Sequence, residues 1–242
     1  MNEPDFGAVI AAAGSGSRFG GRKQFLQLAG RPILCYSLDT FADVPDVCQL
    51  VVVSSREDQE EARRVVAEWR SLRAGKGERR VPVAIVEGGA RRQDSVRKGL
   101  DALDPSTRYV LVHDAARPLI LNDDVLRVVA AAREHGAAAL GTPCHDSVKR
   151  VKGSVIVEEL PRGDVWTVQT PQAALVEALR QAYDAGVGTE LTDEASALRA
   201  CSVPVAVVEG SRENIKITRP GDERLAARIL EARVRIGSRG VP

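Results

Sequence analysis

Histidine is scarce in this chain, with three in 242 residues, and none stands in a Ser-His-Asp pattern of the hydrolytic kind. The four cysteines, Cys35, Cys48, Cys144 and Cys201, never fall into CxxC spacing. A disulfide scaffold and a zinc site are thereby set aside, and a reducing compartment is expected. Aromatic residues make up only 4% of the chain, so a core must come from Val, Leu, Ile and Ala. Net charge is nearly absent as well: 34 Lys+Arg against 33 Asp+Glu leaves +1. That balance speaks against a nucleic-acid binder held by phosphate contacts, while leaving room for a local basic pocket. No apolar run approaches the ~20 residues a bilayer span requires. The opening MNEPDFG carries no basic patch of a signal peptide. The expectation is a cytoplasmic protein with neither membrane nor nucleic acid as partner.

What is present is length and alternation. A chain of 242 residues with 44% hydrophobic content suits one domain over 1–242. Apolar runs at 8–13, 48–54, 81–87, 108–114, 136–143 and 203–210 read as strands, several apolar on both faces. Between them 31–43, 57–70, 92–103 and 122–135 read as amphipathic helices. Pro32 suits a first helical turn, and Asn122 or Asp123 an N-cap. Strand–helix alternation of this kind implies an α/β fold with a doubly wound, mostly parallel sheet. Two stretches break the rhythm. RAGKGERR at 73–80 reads as a solvated connection. Residues 144–166 read as a β-hairpin, SVKRV and SVIVEEL about a Lys-Gly turn. Such an arm has too little core to stand alone, and a second subunit is a fair support for it. There is no internal repeat and no low-complexity tract.

The most informative segment is GAVIAAAGSGSRFGGRKQFLQLAG, residues 7–30. In open α/β sheets ligands bind beyond the carboxyl ends of strands, and this loop leaves the first of them. A dinucleotide fingerprint requires G-x-G-x-x-G, but Gly20 comes one place late, and the second strand ends in Ser54-Ser55 rather than an acid. A P-loop fails too, because Arg22 holds the lysine place and no Ser or Thr follows Lys23. A plain glycine-rich connection with two solvated cations is the bland alternative. The remaining reading is a loop that wraps a nucleoside triphosphate and adds Arg18, a forked permanent charge, and Lys23, a mobile one. Such a pair suits charge developing on phosphorus and on leaving pyrophosphate.

Other segments add to it. VHDAARP at 112–118 places Asp114 at a strand end, where it can hold magnesium or simply cap a loop. EGGARRQDSV at 87–96 is a second Gly-Gly loop, able to admit a flat base, with Asp94 or Ser95 near a helix start. LTDEAS at 191–196 has capping-box character. ENIKITRPGD at 213–222 places Lys216 in a short strand, directed to a cleft or merely solvated at an edge. Of the histidines, His135 reads as a helix-end cap, His113 as structural, and His145, near the hairpin, as able to touch substrate but not assigned to the site.

Together AAAGSGSRFG, KQF, RRQDSV, VHDAARP, TPQ, TDEASAL, VEG and NIKITRP resemble, in order and over nearly the whole chain, the cytidylyltransferases of the non-mevalonate isoprenoid pathway. These join 2-C-methyl-D-erythritol 4-phosphate to CTP. The resemblance implies a Rossmann-like nucleotidyltransferase with a dimerising β-arm, and a Mg²⁺ requirement. It implies that Ala12, Ala13, Gly14 and Gly16 line the nucleotide, with Gly89 and Ser95 near cytosine and Ala115 at the ribose. Arg18 and Lys23 would act at the α-phosphorus, with Lys216 also on the phosphates. Asp114 would face acceptor and metal, while Arg117, Thr170 and Thr192 support the pocket. Ser147 and Arg162 on the arm would bind the acceptor phosphate across a homodimer interface. Three positions depart from the family pattern: Arg22 where proline is usual, Ala90 where an acid is frequent, and Ser147 where threonine is common. Two other functions stay open, a ribitol 5-phosphate cytidylyltransferase and a nucleotide-binding module without turnover.

Overall fold

The computed structural model describes residues 3–14, 23–186 and 190–238. Seven strands form the central sheet. Strand β1 (Phe6–Ala12) leads, past the two-residue β2 (Gln27–Leu28) and β3 (Arg31–Pro32), into helix α1 (Ile33–Asp43). Then follow β4 (Val47–Ser54), α2 (Gln59–Gly75), β5 (Val83–Glu87), α3 (Arg92–Asp101), β6 (Tyr109–Asp114), α4 (Asn122–His135) and β7 (Ala137–Pro143). The hairpin β8 (Val148–Lys152) and β9 (Val155–Leu160) forms its own two-stranded sheet. The chain returns through β10 (Trp166–Leu175), α5 (Val176–Ala185), α6 (Glu194–Ala200), β11 (Ala206–Glu209) and α7 (Asp222–Ser238). Sheet order is β11-β7-β10-β6-β1-β4-β5.

The strands are apolar on both faces because both faces are covered. In β1, Phe6, Ala8 and Ile10 enter one core with α1, α2 and α4, whereas Val9 enters a second with α3, α5 and α6. The same alternation splits Leu50 and Val52 from Val51 and Val53, and Leu111 from Val110 and Val112. A third cluster, Leu28, Ile33, Leu119, Ile217 and Ala226, fastens the segment before α7.

Chain order reverses at β1, which pairs in parallel with β4 on one side and β6 on the other. This is the switch point at which open α/β sheets leave a crevice. Register places Ala11 directly beside Asp114, so the glycine loop leaves the sheet next to that carboxylate. Helix α3 is drawn onto β1 at Gly99, where a Cβ would lie 2.5 Å from Val9 Cγ1. That close approach aims the N-terminal end of α3 at the crevice.

Several sequence expectations are corrected. The sheet holds one strand that was not expected: β10 runs antiparallel between β6 and β7. Its WTVQTPQAAL contains a proline and two glutamines, and mixes polar with apolar residues outside any simple period. Lys216 is not on a strand, because 214–219 has no regular structure and is tied instead by Ile217 N–H donating to Ala116 O at 2.8 Å. Asn122 and Asp123 are not N-caps: α4 begins at Asn122, whose side-chain amide donates to Thr40 O at 3.1 Å. Pro32 precedes α1 rather than opening it. Helix α2 continues through Gly75, into the stretch read as a connection. The hairpin turn falls at Gly153–Ser154, one residue later than expected, with Gly153 at φ +58°.

Candidate active site

A cleft of about 290 Å³ opens at the switch point, walled by residues 11–14, 89–92, 114–116, Gln24, Ser95 and Lys216. Three segments build it. The first is the exit of β1: Ala12 is buried, and among the described residues nothing lies within 4 Å of where a Cβ on Gly14 would stand. Gly16 and Arg18 lie outside the described residues. Lys23 opens a short 3-10 turn through Phe25, and its side chain lies outside the described part. The second segment is the Gly-Gly loop. A Cβ on Gly89 would lie 2.4 Å from Asp94 Cβ, so only glycine fits against the start of α3. Ser95 fixes this loop by accepting from Gly89 N–H at 3.0 Å and donating to Arg91 O at 3.1 Å. Asp94 accepts from the Arg91 backbone at 3.2 Å, closing the capping box.

The third segment is the end of β6. Asp114 is buried, and its two oxygens face two cations: Lys216 Nζ donates to Oδ2 at 2.6 Å, and Arg92 Nε to Oδ1 at 3.2 Å. Burial opposes its ionisation, but the Arg92 and Lys216 charges outweigh that and hold the carboxyl well below the usual range. Ala115 donates its N–H to Ala11 O at 3.1 Å, which joins the third segment to the first.

Behind this wall a neutral network sets the backbone. Asp114 N–H donates to Thr170 Oγ1, and Thr170 Oγ1 lies 3.1 Å from His113 Nδ1. His113 Nε2 lies 3.1 Å from Arg117 O, an acceptor only, so Nε2 carries the proton and Thr170 donates to Nδ1. Burial lowers the imidazole to about 4 and keeps it neutral, so His113 is structural. Arg117 does not line the cleft; it donates to Asn214 O at 2.8 Å and so holds the strip that carries Lys216. Thr170 and Arg117 therefore support the pocket from behind.

Other expected residues stand apart. Thr192 is exposed and shares a hydrogen bond with Ser196 Oγ at 2.8 Å, one turn into α6. The N-cap of that helix is Asp193, which accepts from Ser196 N–H at 2.8 Å. Ser147 and Arg162 are exposed at the foot of the hairpin, where Arg162 Nη1 donates to His145 O at 2.8 Å; neither lines this chain's own cleft. His135 ends α4 in solvent.

Sequence reasoning gave no role to Arg92 or Glu194. Arg92 opens α3 and lines the cleft, and both its terminal nitrogens donate to Glu194, at 2.7 and 3.0 Å. Burial works against the Arg92 charge, but Glu194 and Asp114 more than restore it. Their signal in the sequence is that they lie within RRQDSV and TDEASAL, at helix starts.

This glycine-bordered cleft with an anion between two cations can take up a polyanionic ligand. Residues 6–232 match the family model IspD: 2-C-methyl-D-erythritol 4-phosphate cytidylyltransferase. The chain belongs to this family. It is 42% identical over 233 residues to the 2-C-methyl-D-erythritol 4-phosphate cytidylyltransferase of Pelotomaculum thermopropionicum, covering 93% of this chain and 94% of that one. The 2-C-methyl-D-erythritol 4-phosphate cytidylyltransferase crystal structure from Thermus thermophilus superimposes with a TM-score of 0.74 at 32% identity, over 92% of this chain and 97% of the other. Against the bifunctional enzyme IspD/IspF of Rhodospirillum rubrum the identity is 40% over 96% of this chain, which spans only 59% of that relative's length. Among the described residues no helix is long and apolar enough to cross a membrane.

Proposed function

We propose that this chain, acting as one cytidylyltransferase domain, transfers CMP from CTP to 2-C-methyl-D-erythritol 4-phosphate. The products are 4-diphosphocytidyl-2-C-methyl-D-erythritol and pyrophosphate, on the route to isoprenoid precursors in the cytoplasm. The observation that carries this reading is Asp114 held between Lys216 and Arg92 at the switch point, facing the glycine-bordered loop.

The nucleophile is a phosphate monoester oxygen, whose second pKa of about 6 leaves it largely ionised at pH 7. It attacks the α-phosphorus; a new P–O bond forms while the α–β bridging bond breaks, and pyrophosphate leaves with the electron pair. No general base is required, in keeping with a neutral His113 used only in structure. Bringing one polyanion to another is the difficulty, so alignment and cations supply the catalysis. In this reading Ala12, Ala13, Gly14 and Gly16 cradle the triphosphate, Gly89 and Ser95 border cytosine, and Ala115 meets the ribose. Arg18 and Lys23 answer the charge of the five-coordinate phosphorus, and Lys216 holds phosphate oxygens.

The described residues contain no cluster of three His, Cys, Asp or Glu able to cage a metal. Asp114 alone fits an ion such as Mg²⁺, which binds one or two carboxylates and takes its other ligands from phosphates and water. Its carboxylate is ionised, and beyond the two cations it still has lone pairs to offer, since it has about four acceptor sites. Mg²⁺ held there would screen the triphosphate charge.

The acceptor phosphate is bound by Ser147 and Arg162 of a second copy, through a homodimer made by the hairpin. Two features support this: both residues are exposed outside their own cleft, and the hairpin bares Val151, Val155, Ile156 and Val157.

The test is pyrophosphate release with CTP and Mg²⁺, offering methylerythritol 4-phosphate and ribitol 5-phosphate in parallel. Release with the former alone is expected. Release with ribitol 5-phosphate alone moves the acceptor to the sister reaction, and CTP binding without release, even in a single turnover, leaves a nucleotide-binding module.

A further inference from the structure

We infer that Glu194 is a positioning residue for this transfer: acting through Arg92, it fixes the carboxylate of Asp114 for catalysis. This rests on the reaction proposed above.

Glu194 is the first residue of α6 and is 1% exposed. It lines no part of the cleft, so any effect on chemistry must pass through a neighbour. Its carboxylate accepts both terminal nitrogens of Arg92, and Oε1 also accepts the Tyr183 hydroxyl at 2.9 Å. A guanidinium is planar, with its donors in a fixed fork. Once Nη1 and Nη2 are held, the direction of the Nε–H bond is set, and it points at Asp114 Oδ1. Four charges therefore alternate in a line: Lys216, Asp114, Arg92, Glu194.

Without the last of them, the Arg92 fork has one anion left to grip. Guanidinium and carboxylate prefer the two-pronged arrangement. Asp114 would be drawn toward α3, away from Lys216 and from the ligand. Glu194 thus satisfies the fork from behind, and Asp114 receives a single bond from it. The pair also joins two loops 102 positions apart, the one ending at Arg91 before α3 and the one ending at Asp193 before α6. The first of them lines the cleft through residues 89–91.

A buried ion pair of this kind could also serve only to hold α3 to α6, and kinetics separate the two roles. The experiment is a double-mutant cycle in single-turnover CMP transfer: wild type, Glu194→Gln, Asp114→Asn and the double variant, with CTP affinity measured by calorimetry. Glu194→Gln is expected to slow transfer by about 10–100-fold, as supporting residues behind a site commonly do, with CTP affinity changed by less than about threefold. In the Asp114→Asn background the same substitution is expected to cost less than about threefold, since its route is already cut. Equal costs in both backgrounds overturn the inference. So does a loss confined to CTP affinity. Should Glu194→Gln fail to fold, Tyr183→Phe takes its place, because it loosens Glu194 while leaving both Arg92 bonds. Its slowing of transfer, about threefold, is then expected to vanish beside Asp114→Asn, and persistence overturns the inference. A wild type that turns over no acceptor at all removes the proposed reaction and this role with it. An active wild type with an additive cycle removes this role alone.

Discussion

The wall around Asp114 and the hairpin of β8 and β9 come from the same chain but are finished to different degrees. Around Asp114 the charges are paired within the fold: Lys216 and Arg92 on the aspartate and Glu194 on Arg92, with the neutral Tyr183 hydroxyl also donating to Glu194. The hairpin pairs its charges only at the surface, as Arg150 with Glu158 and Lys149 with Glu159, and leaves Val155 65% and Ile156 62% exposed. Surface pairs of this sort contribute little, about 0–1 kcal/mol each. One chain thus pre-sets the electrostatics of its cleft, whereas its arm presents apolar surface for something else to cover.

The largest effect is expected at Lys23. Lys23→Ala should lower kcat by at least ~10²-fold, the scale of a lost transition-state donor. Steady-state turnover close to wild type would remove Lys23 from the chemistry.

The wall's rear support comes next. His113 has a folded pKa of about 4 against 6.5 in the unfolded chain, so the unfolded chain binds more protons between those values. The stability from keeping the ring neutral is complete above pH 6.5 and is lost as pH falls toward 4, by about 3 kcal/mol. Urea unfolding midpoints across that window should fall with pH, and an NMR titration of the ring should show a midpoint far below 6.5. An ordinary midpoint defeats the argument.

On the arm, Arg162→Ala should raise KM for the acceptor phosphate about 10-fold or more while leaving KM for CTP alone, as expected for a lost charge-assisted contact. A defect selective for CTP would place Arg162 on the wrong substrate. The smallest effect on folding, and the sharpest contrast with the wall, is expected from Ile156→Asp. It should reduce the sedimenting species to a monomer while moving stability by no more than about 0.5 kcal/mol, because the side chain is bare in the single chain. An unchanged mass would mean that the arm is not what joins two copies.

Much of this molecule was legible from residues alone. Apolar runs on both faces foretold a covered parallel sheet, and β1, β4, β5, β6, β7 and β11 lie where those runs fall, to within a few residues. Local chemistry located the Gly-Gly loop, the aspartate at a strand end and the hairpin, since each is marked by neighbours in sequence. β10 was not legible, because its antiparallel place between β6 and β7 follows from the sheet and not from any period of its own. Lys216 was singled out for the wrong local reason: the loop that carries it is shaped by Ala116 and Arg117, about a hundred residues earlier.

By itself, then, the sequence determined which segments become strands and helices and which residue types gather at strand ends, because periodicity, glycine and capping act over a few positions. Only the tertiary structure decided that Arg92 belongs to Asp114 and Glu194 and that Lys216 completes the set. Those partners lie 22 to 102 positions apart. What brings them into contact is the reversal of strand order at β1 and the close seat of α3 at Gly99, and an ion pair forms only where packing has already placed its two charges.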